Sequence, residues 1–281
     1  MANHSEAQEI LQVGLGQGEE RINLVKTALL LAKRVAYPHL HIDNYLFRIE
    51  KMAAEIESRV DCETSDPNSL IDLINNFLFV EQGFHGNDDD YYDPRNSFLN
   101  DVMDRRTGIP ITMSTLYIEL ARRVGLGLDG VGFPGHFIVK YSGPGDGILI
   151  DPFNKGRILS EKNCQDILDR IYGGGVKLRG EMLVSSTKKQ IISRMLNNLK
   201  GIYVDSKNHQ KALSVVELIL ELNPDSVSEV RDKGLLYYEL ECFSQALHDL
   251  ETYLNLSPNA PDRDVITNIV SRLKDVVKLI N

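Results

Sequence analysis

Residues 132–157 read GFPGHFIVKYSGPGDGILIDPFNKGR, and how this stretch divides decides the fold. FIVKY alternates apolar and polar side chains, and GILID is a short apolar run. With SGPG between them, the two runs predict an antiparallel hairpin and not a helix. If residues 142–145 form the tight turn, His136 lies opposite Asp151 on one face, where cross-strand Cβ atoms are about 4.5–5.5 Å apart. A slip of one residue would send the two side chains to opposite faces. A histidine beside an aspartate is the base and orienter of a nucleophilic triad, because the carboxylate fixes the imidazole tautomer and stabilises its charged form. The nucleophile has to come from another segment.

Upstream of the hairpin the pattern is helical. Ile22, Val25, Leu29, Ala32 and Val35 recur at helical spacing from Glu19 to Tyr37, and Pro38 closes that segment. Leu46, Ile49, Met52, Ile56 and Val60 mark a second helix. Asp66-Pro67 and Asp93-Pro94 each pair a cap residue with a proline suited to the first helical position. They predict helices with Leu70, Leu73, Ile74 and Phe77, and then Phe98, Leu99 and Val102, facing inward. The run ITMSTLYIELARRVG, with Pro110 before it and Gly125 at its C-terminal cap, predicts a helix that is apolar on most sides and therefore central.

Downstream lies an internal repeat. Tyr203 and Tyr237, Ala212 and Ala246, Leu220 and Leu254, and Pro224 and Pro258 each fall 34 residues apart, which is the tetratricopeptide period. Small residues at such positions let paired helices approach closely. The second copy carries Gly234 where the first has Lys200. Residues 262–281 read as a closing helix on Val265, Ile269, Leu273 and Val276.

Composition narrows the function. The chain has 281 residues, 42% hydrophobic and 25% charged, with a formal net charge of −9. That is the make-up of a globular protein, and its acidic balance argues against a nucleic-acid partner, which would call for clustered Lys and Arg. No apolar run is long enough to span a membrane and MANHSEAQEI lacks the features of a secretory signal, so a cytoplasmic protein is expected. Cys62, Cys164 and Cys242 are far apart and in no metal-ligand spacing, so no disulfide, metal or cofactor is expected. Asp88, Asp89 and Asp90 lack the alternating ligands and central glycine of a calcium loop and read as a solvated turn. Arg105, Arg106, Arg122 and Arg123 suggest, weakly, an anion-binding edge.

A triad nucleophile belongs at the start of a helix, where the dipole and free N–H groups favour a thiolate and an oxyanion. The helix after Pro110 offers Thr112 and Ser114 and no cysteine. The runs YYDPRNSFLNDVMDRRTGIPITMSTLYIELARRVGLGLDGVGFPGHFIVKY (91–141) and IDPFNKGRILS (150–160) resemble the SirB family through GIP, PGHF and DPF, over roughly residues 20–260. The resemblance implies an α+β fold: a helical N-terminal region, a transglutaminase-like core of helix and antiparallel sheet within residues 1–180, and helical tetratricopeptide repeats over 190–281. It further implies that His136 and Asp151 stand at the superfamily's histidine and aspartate positions. The cysteine position, at the opening of the central helix, falls near Pro110.

Two functions follow from these expectations. One is a non-catalytic interaction or regulatory module that holds a protein or peptide through the C-terminal repeats, with His136–Asp151 as a structural or vestigial pair. The alternative is a hydrolase or acyltransferase on a peptide or amide, with Thr112 or Ser114 as nucleophile and His136 as base.

Overall fold

Capping chemistry fixes where most of the helices begin. In this computed structural model, which describes residues 21–60, 66–144 and 147–280, the first helix, α1 (Leu24–Val35), starts after Asn23, whose side chain accepts the Lys26 N–H. The expected start at Glu19 lies outside the described residues, and the Asn23 cap places the helical boundary after it. Helix α2 (Ile42–Glu57) ends before Val60. Asp66 accepts the N–H groups of Asn68 and Ser69 and opens α3 (Pro67–Asn75), which continues into a π-helical segment, Asn76–Glu81.

Asp93-Pro94 does not open the expected continuous helix. Asp93 caps a short 3-10 turn, Pro94–Ser97, and Phe98 is extended before α4 (Leu99–Arg105) begins. The break lets Asn96 turn inward, where it is fully buried and its amide donates to the Asp90 carbonyl at 2.7 Å. A parallel pair of two-residue strands, β1 (His85–Gly86) and β2 (Thr107–Gly108), ties this region together.

Helix α5 (Pro110–Arg123) is central, as its all-round apolar sequence predicts. It packs against α1, α2, α3 and α4 and against the sheet, and Tyr117 is completely buried. Gly125 follows its end with φ +85°. The sheet is an antiparallel meander: β3 (Leu128–Val131), β4 (Ile138–Tyr141), β5 (Ile148–Asp151) and β6 (Arg157–Leu159). Helix α6 (Glu161–Tyr172) opens with a capping box between Ser160 and Asn163 and covers Val131, Phe133 and Ile138 with Cys164 and Leu168.

The chain divides into two compact units, residues 1–195 and 196–281, with the boundary inside α7 (Lys188–Asp205). The second unit stacks α8 (His209–Leu222), α9 (Val227–Glu239), α10 (Phe243–Leu256) and α11 (Arg263–Ile280), each of the last three on the one before. Ala212 and Ala246, the small repeat residues, are fully buried. A Cβ on Gly234 would come within 2.8 Å of the Leu250 side chain, so the repeat's glycine sets the distance between α9 and α10. The closing helix turns Leu273 inward and packs Ile269 on the core as expected, but its inward face is rotated away from Val265. Ile266, Val270 and Leu273 are buried, whereas Val265 is 61% exposed.

Candidate functional site

Asp151 ends β5 and is 1% exposed. Its carboxylate caps the turn Pro152–Asn154: Oδ1 accepts the Asn154 N–H at 3.3 Å, and Oδ2 accepts the Asn154 side-chain amide at 2.7 Å. Its carbonyl accepts the Gly156 N–H at 2.9 Å. These bonds hold the DPFNKG turn beneath α5. On the other side, Tyr117 donates to the Asn75 Oδ1 at 3.0 Å and the Asn75 amide donates to the Gly156 carbonyl at 3.0 Å. Gly156 has φ +72°, and a Cβ there would meet Asn75 Oδ1 at 1.8 Å.

His136 reaches the same carboxylate. Its Nε2 lies 2.9 Å from Asp151 Oδ2, and its side chain is 11% exposed. The pair forms in a register other than the expected one. Val139 pairs with Ile150, Lys140 with Leu149 and Tyr141 with Ile148, so the connecting loop runs over 142–147 and His136 sits in the turn before β4. The register therefore differs by two residues. Because side chains alternate with a period of two, an even shift keeps the facing parity and brings the two groups together.

Burial by itself would raise the Asp151 carboxyl. The hydrogen bond and charge of His136, with the bonds from Asn154, outweigh it and hold the carboxyl below the ordinary carboxylate range. The other ring nitrogen, Nδ1, has no hydrogen-bond partner among the described residues, and in the neutral ring with Nε2 donating to the carboxylate it is the nitrogen that carries the lone pair. The ring meets Phe153 edge-on at 5.9 Å, and Phe153 meets Tyr91 at 6.2 Å. The arrangement presents an oriented base.

Among the described residues no nucleophile is hydrogen-bonded to His136. Pro110 occupies the first position of α5. Thr112 is buried and its hydroxyl lies 2.8 Å from the Asn96 carbonyl and 3.0 Å from the Ile109 carbonyl. The Ser114 hydroxyl is fully buried and has no hydrogen-bond partner among the described residues. Neither is therefore hydrogen-bonded to His136. Cys164 is buried, and burial together with the Asp151 and Glu161 charges pushes its thiol up to about 11, the opposite of activation. Cys242 lies in the second unit, and Cys62 falls outside the described residues.

Of the four arginines of the suggested anion-binding edge, Arg122 and Arg123 share the Glu119 carboxylate and Arg105 shares Asp93 with Arg95, whereas Arg106 is exposed. Asp88, Asp89 and Asp90 are exposed in a turn, and no cluster of three or more metal-ligating side chains occurs among the described residues.

Two residues, one of them bonded to the His136 turn, had no signal in the sequence. Arg194, on α7, donates through Nη2 to the His136 carbonyl at 2.7 Å and to the Phe133 carbonyl at 3.0 Å. Asn96 links Asn87, Arg105 and Thr112. Both contacts are long-range, and no local periodicity marks them.

Comparison with known proteins agrees with this architecture. A transglutaminase-like superfamily profile matches residues 43–197, and a tetratricopeptide repeat profile matches residues 199–270. A UPF0162 protein of Xylella fastidiosa is 37% identical over 252 residues, covering 88% of this chain and 89% of the relative. A UPF0162 protein of Vibrio cholerae is 29% identical over 255 residues, 90% of this chain and 93% of that protein. Human F-box only protein 21 is 31% identical over 198 residues, which are 66% of this chain but 30% of that longer protein. No solved structure matches the chain. A transglutaminase-like core, a repeat array behind it and near-full-length similarity to the Xylella protein place this chain in the transglutaminase-like superfamily, as a member of the SirB-like UPF0162 family.

Proposed function

We propose that this protein is a non-catalytic, cytoplasmic interaction or regulatory module, which holds a peptide segment of a partner on its tetratricopeptide repeats. The observation that carries the reading is the opening of α5. Pro110 stands where the superfamily's nucleophile would be, and the Thr112 hydroxyl is bonded to main-chain carbonyls away from His136. A scaffold can outlast its reaction. What remains of the site is a bonded pair that anchors the DPFNKG turn.

The repeats offer the binding surface. Between α7 and α9, within the second unit, lies a cavity of about 650 Å³ lined by Val204, Leu235 and Leu236, with Asn197, Lys207 and Glu239 among its polar residues. Its chemistry suits a peptide that sets one apolar side chain on the floor and bonds its main chain to the polar groups. A selection from a displayed peptide library against the full chain tests this. Binders are expected that lose about tenfold or more in affinity against Val204→Asp, which places a charge on the floor at a half-exposed position. Absence of binders, or binders indifferent to Val204→Asp, would sink the proposal.

The unbonded His136 Nδ1 favours the second reading, a hydrolase or acyltransferase with a hydroxyl nucleophile. A fluorophosphonate probe separates the two. The interaction module stays unlabelled, and labelling abolished by Thr112→Val or Ser114→Ala would establish the enzyme.

A further inference from the structure

Gly201 lies inside α7, where a glycine costs helix stability relative to alanine. Nothing in the fold calls for it. Its backbone is helical and has no positive φ, and a Cβ added there would meet no other part of the molecule within 4 Å. Gly234 makes the contrast, since a Cβ there would come within 2.8 Å of the Leu250 side chain. In the first repeat Lys200 takes the position that matches Gly234, and the glycine stands one residue later. One residue is more than a quarter of a helical turn, so Gly201 is rotated onto another face of α7 than the one that the packing glycine uses.

That face lines the cavity of about 650 Å³ between α7 and α9, with Val204 from the same helix and Leu235 and Leu236 from α9. The missing side chain leaves the α7 main chain bare among apolar neighbours, and a glycine of this kind admits close approach of a ligand to the backbone. A planar ring gains most from such a contact, because it buries a large area at the loss of few rotamers. Two charges on the same cavity are unpaired. Lys207, in the turn between α7 and α8, and Glu239, at the end of α9, form no ion pair among the described residues, whereas Lys200 and Asp232 bind each other at 2.9 Å. Unpaired charges of both signs call for complementary charges of both signs on the occupant.

We propose that Gly201 is a specificity-determining residue of the repeat groove, and that the occupant is a peptide segment whose aromatic side chain is seated on Gly201 beside Val204 and Leu235, flanked by one acidic and one basic residue. This rests on the reading of the repeats as a peptide-binding surface. The acidic residue of the peptide meets Lys207 and the basic one meets Glu239. The helix stability given up at Gly201 is then the cost of a notch that a larger residue would close.

The test takes peptides selected from a displayed library on the full chain and measures their affinities for the wild type, Gly201→Ala, Gly201→Leu and Val204→Asp, with the melting temperature of each protein. The binders are expected to share an aromatic anchor with an acidic and a basic residue near it. Gly201→Ala should raise the melting temperature, because its Cβ adds helix propensity and meets nothing, and should weaken binding by about fivefold. Gly201→Leu should weaken it by about tenfold or more. A glycine that served only the fold would not give higher stability with weaker binding. Replacing the peptide's acidic residue by lysine should cost about threefold, and Lys207→Glu should restore it. Binders that lose affinity for Val204→Asp but bind both Gly201 variants as tightly as the wild type overturn this inference and leave the groove reading standing. So do binders without an aromatic anchor, a lysine replacement without effect, or a fall in the melting temperature of Gly201→Ala with unchanged affinity. Absence of any binder overturns both. If Gly201→Leu does not fold, Gly201→Ala decides the matter alone.

Discussion

His136 and Asp151 were legible as a pair because two facts about them are local: each ends or adjoins a run with strand periodicity, and the number of residues between them fixes whether they share a face. The loop length was not local, since a hairpin of four or six loop residues satisfies the same alternation, and yet both give the same parity. The charge on Asp151 carries a measurable consequence. Its folded-state value is depressed, so the carboxylate contributes stability that is present above the unfolded-state pKa of about 3.9 and is lost as pH falls through the lower folded-state value. Asp151→Asn lacks this contribution. Its deficit in urea unfolding, about 1–3 kcal/mol at neutral pH, should narrow below about pH 4. A deficit unchanged across that range would mean that neutral hydrogen bonding, and not the charge, holds the turn. Thr112→Val should cost about 1 kcal/mol by removing a buried hydroxyl that bonds the Asn96 and Ile109 carbonyls. Arg194 was invisible at this scale, because it follows His136 by three strands, a helix and a loop.

Among the elements, caps were read with most success. Asp66-Pro67 and Pro110 start helices where the local chemistry says they should. Asp93-Pro94 starts only a 3-10 turn, because burying Asn96 against Asp90 and Thr112 needs an extended Phe98, which no cap rule contains. The closing helix shows the same limit. Its sequence has apolar residues on more than one face, and contact with α10 selects Ile266, Val270 and Leu273 over Val265. Two glycines test the element-level packing. Gly234→Ala would gain up to about 1 kcal/mol from helix propensity alone. The added Cβ meets the Leu250 side chain at 2.8 Å and its main-chain nitrogen at 3.2 Å, so the substitution is expected to lower the melting temperature. A rise would show that α9 and α10 have room to spare. Gly156→Ala should cost about 1–3 kcal/mol or more, from its positive φ and the Asn75 contact, and should broaden the His136 ring resonances as the DPFNKG turn loosens.

At the level of the whole molecule, the net charge of −9 leads to one further expectation. The protein should not be retained on heparin at about 0.1 M salt, since retention depends on a cluster of unpaired cations. Several of its arginines are paired instead with carboxylates, and no helix among the described residues is long and apolar enough to cross a membrane. The hairpin, the central helix and the 34-residue repeat were all determined by the sequence alone, because each rests on a periodicity or a cap that neighbouring residues specify, and the resemblance to the SirB family implied the α+β class. The tertiary structure alone decided the hairpin register, the inward face of the closing helix, the bonding of the Thr112 hydroxyl and the placement of Arg194 at the His136 turn. Those depend on which distant groups compete for the same buried space and the same hydrogen bonds, and a linear pattern carries no record of that competition.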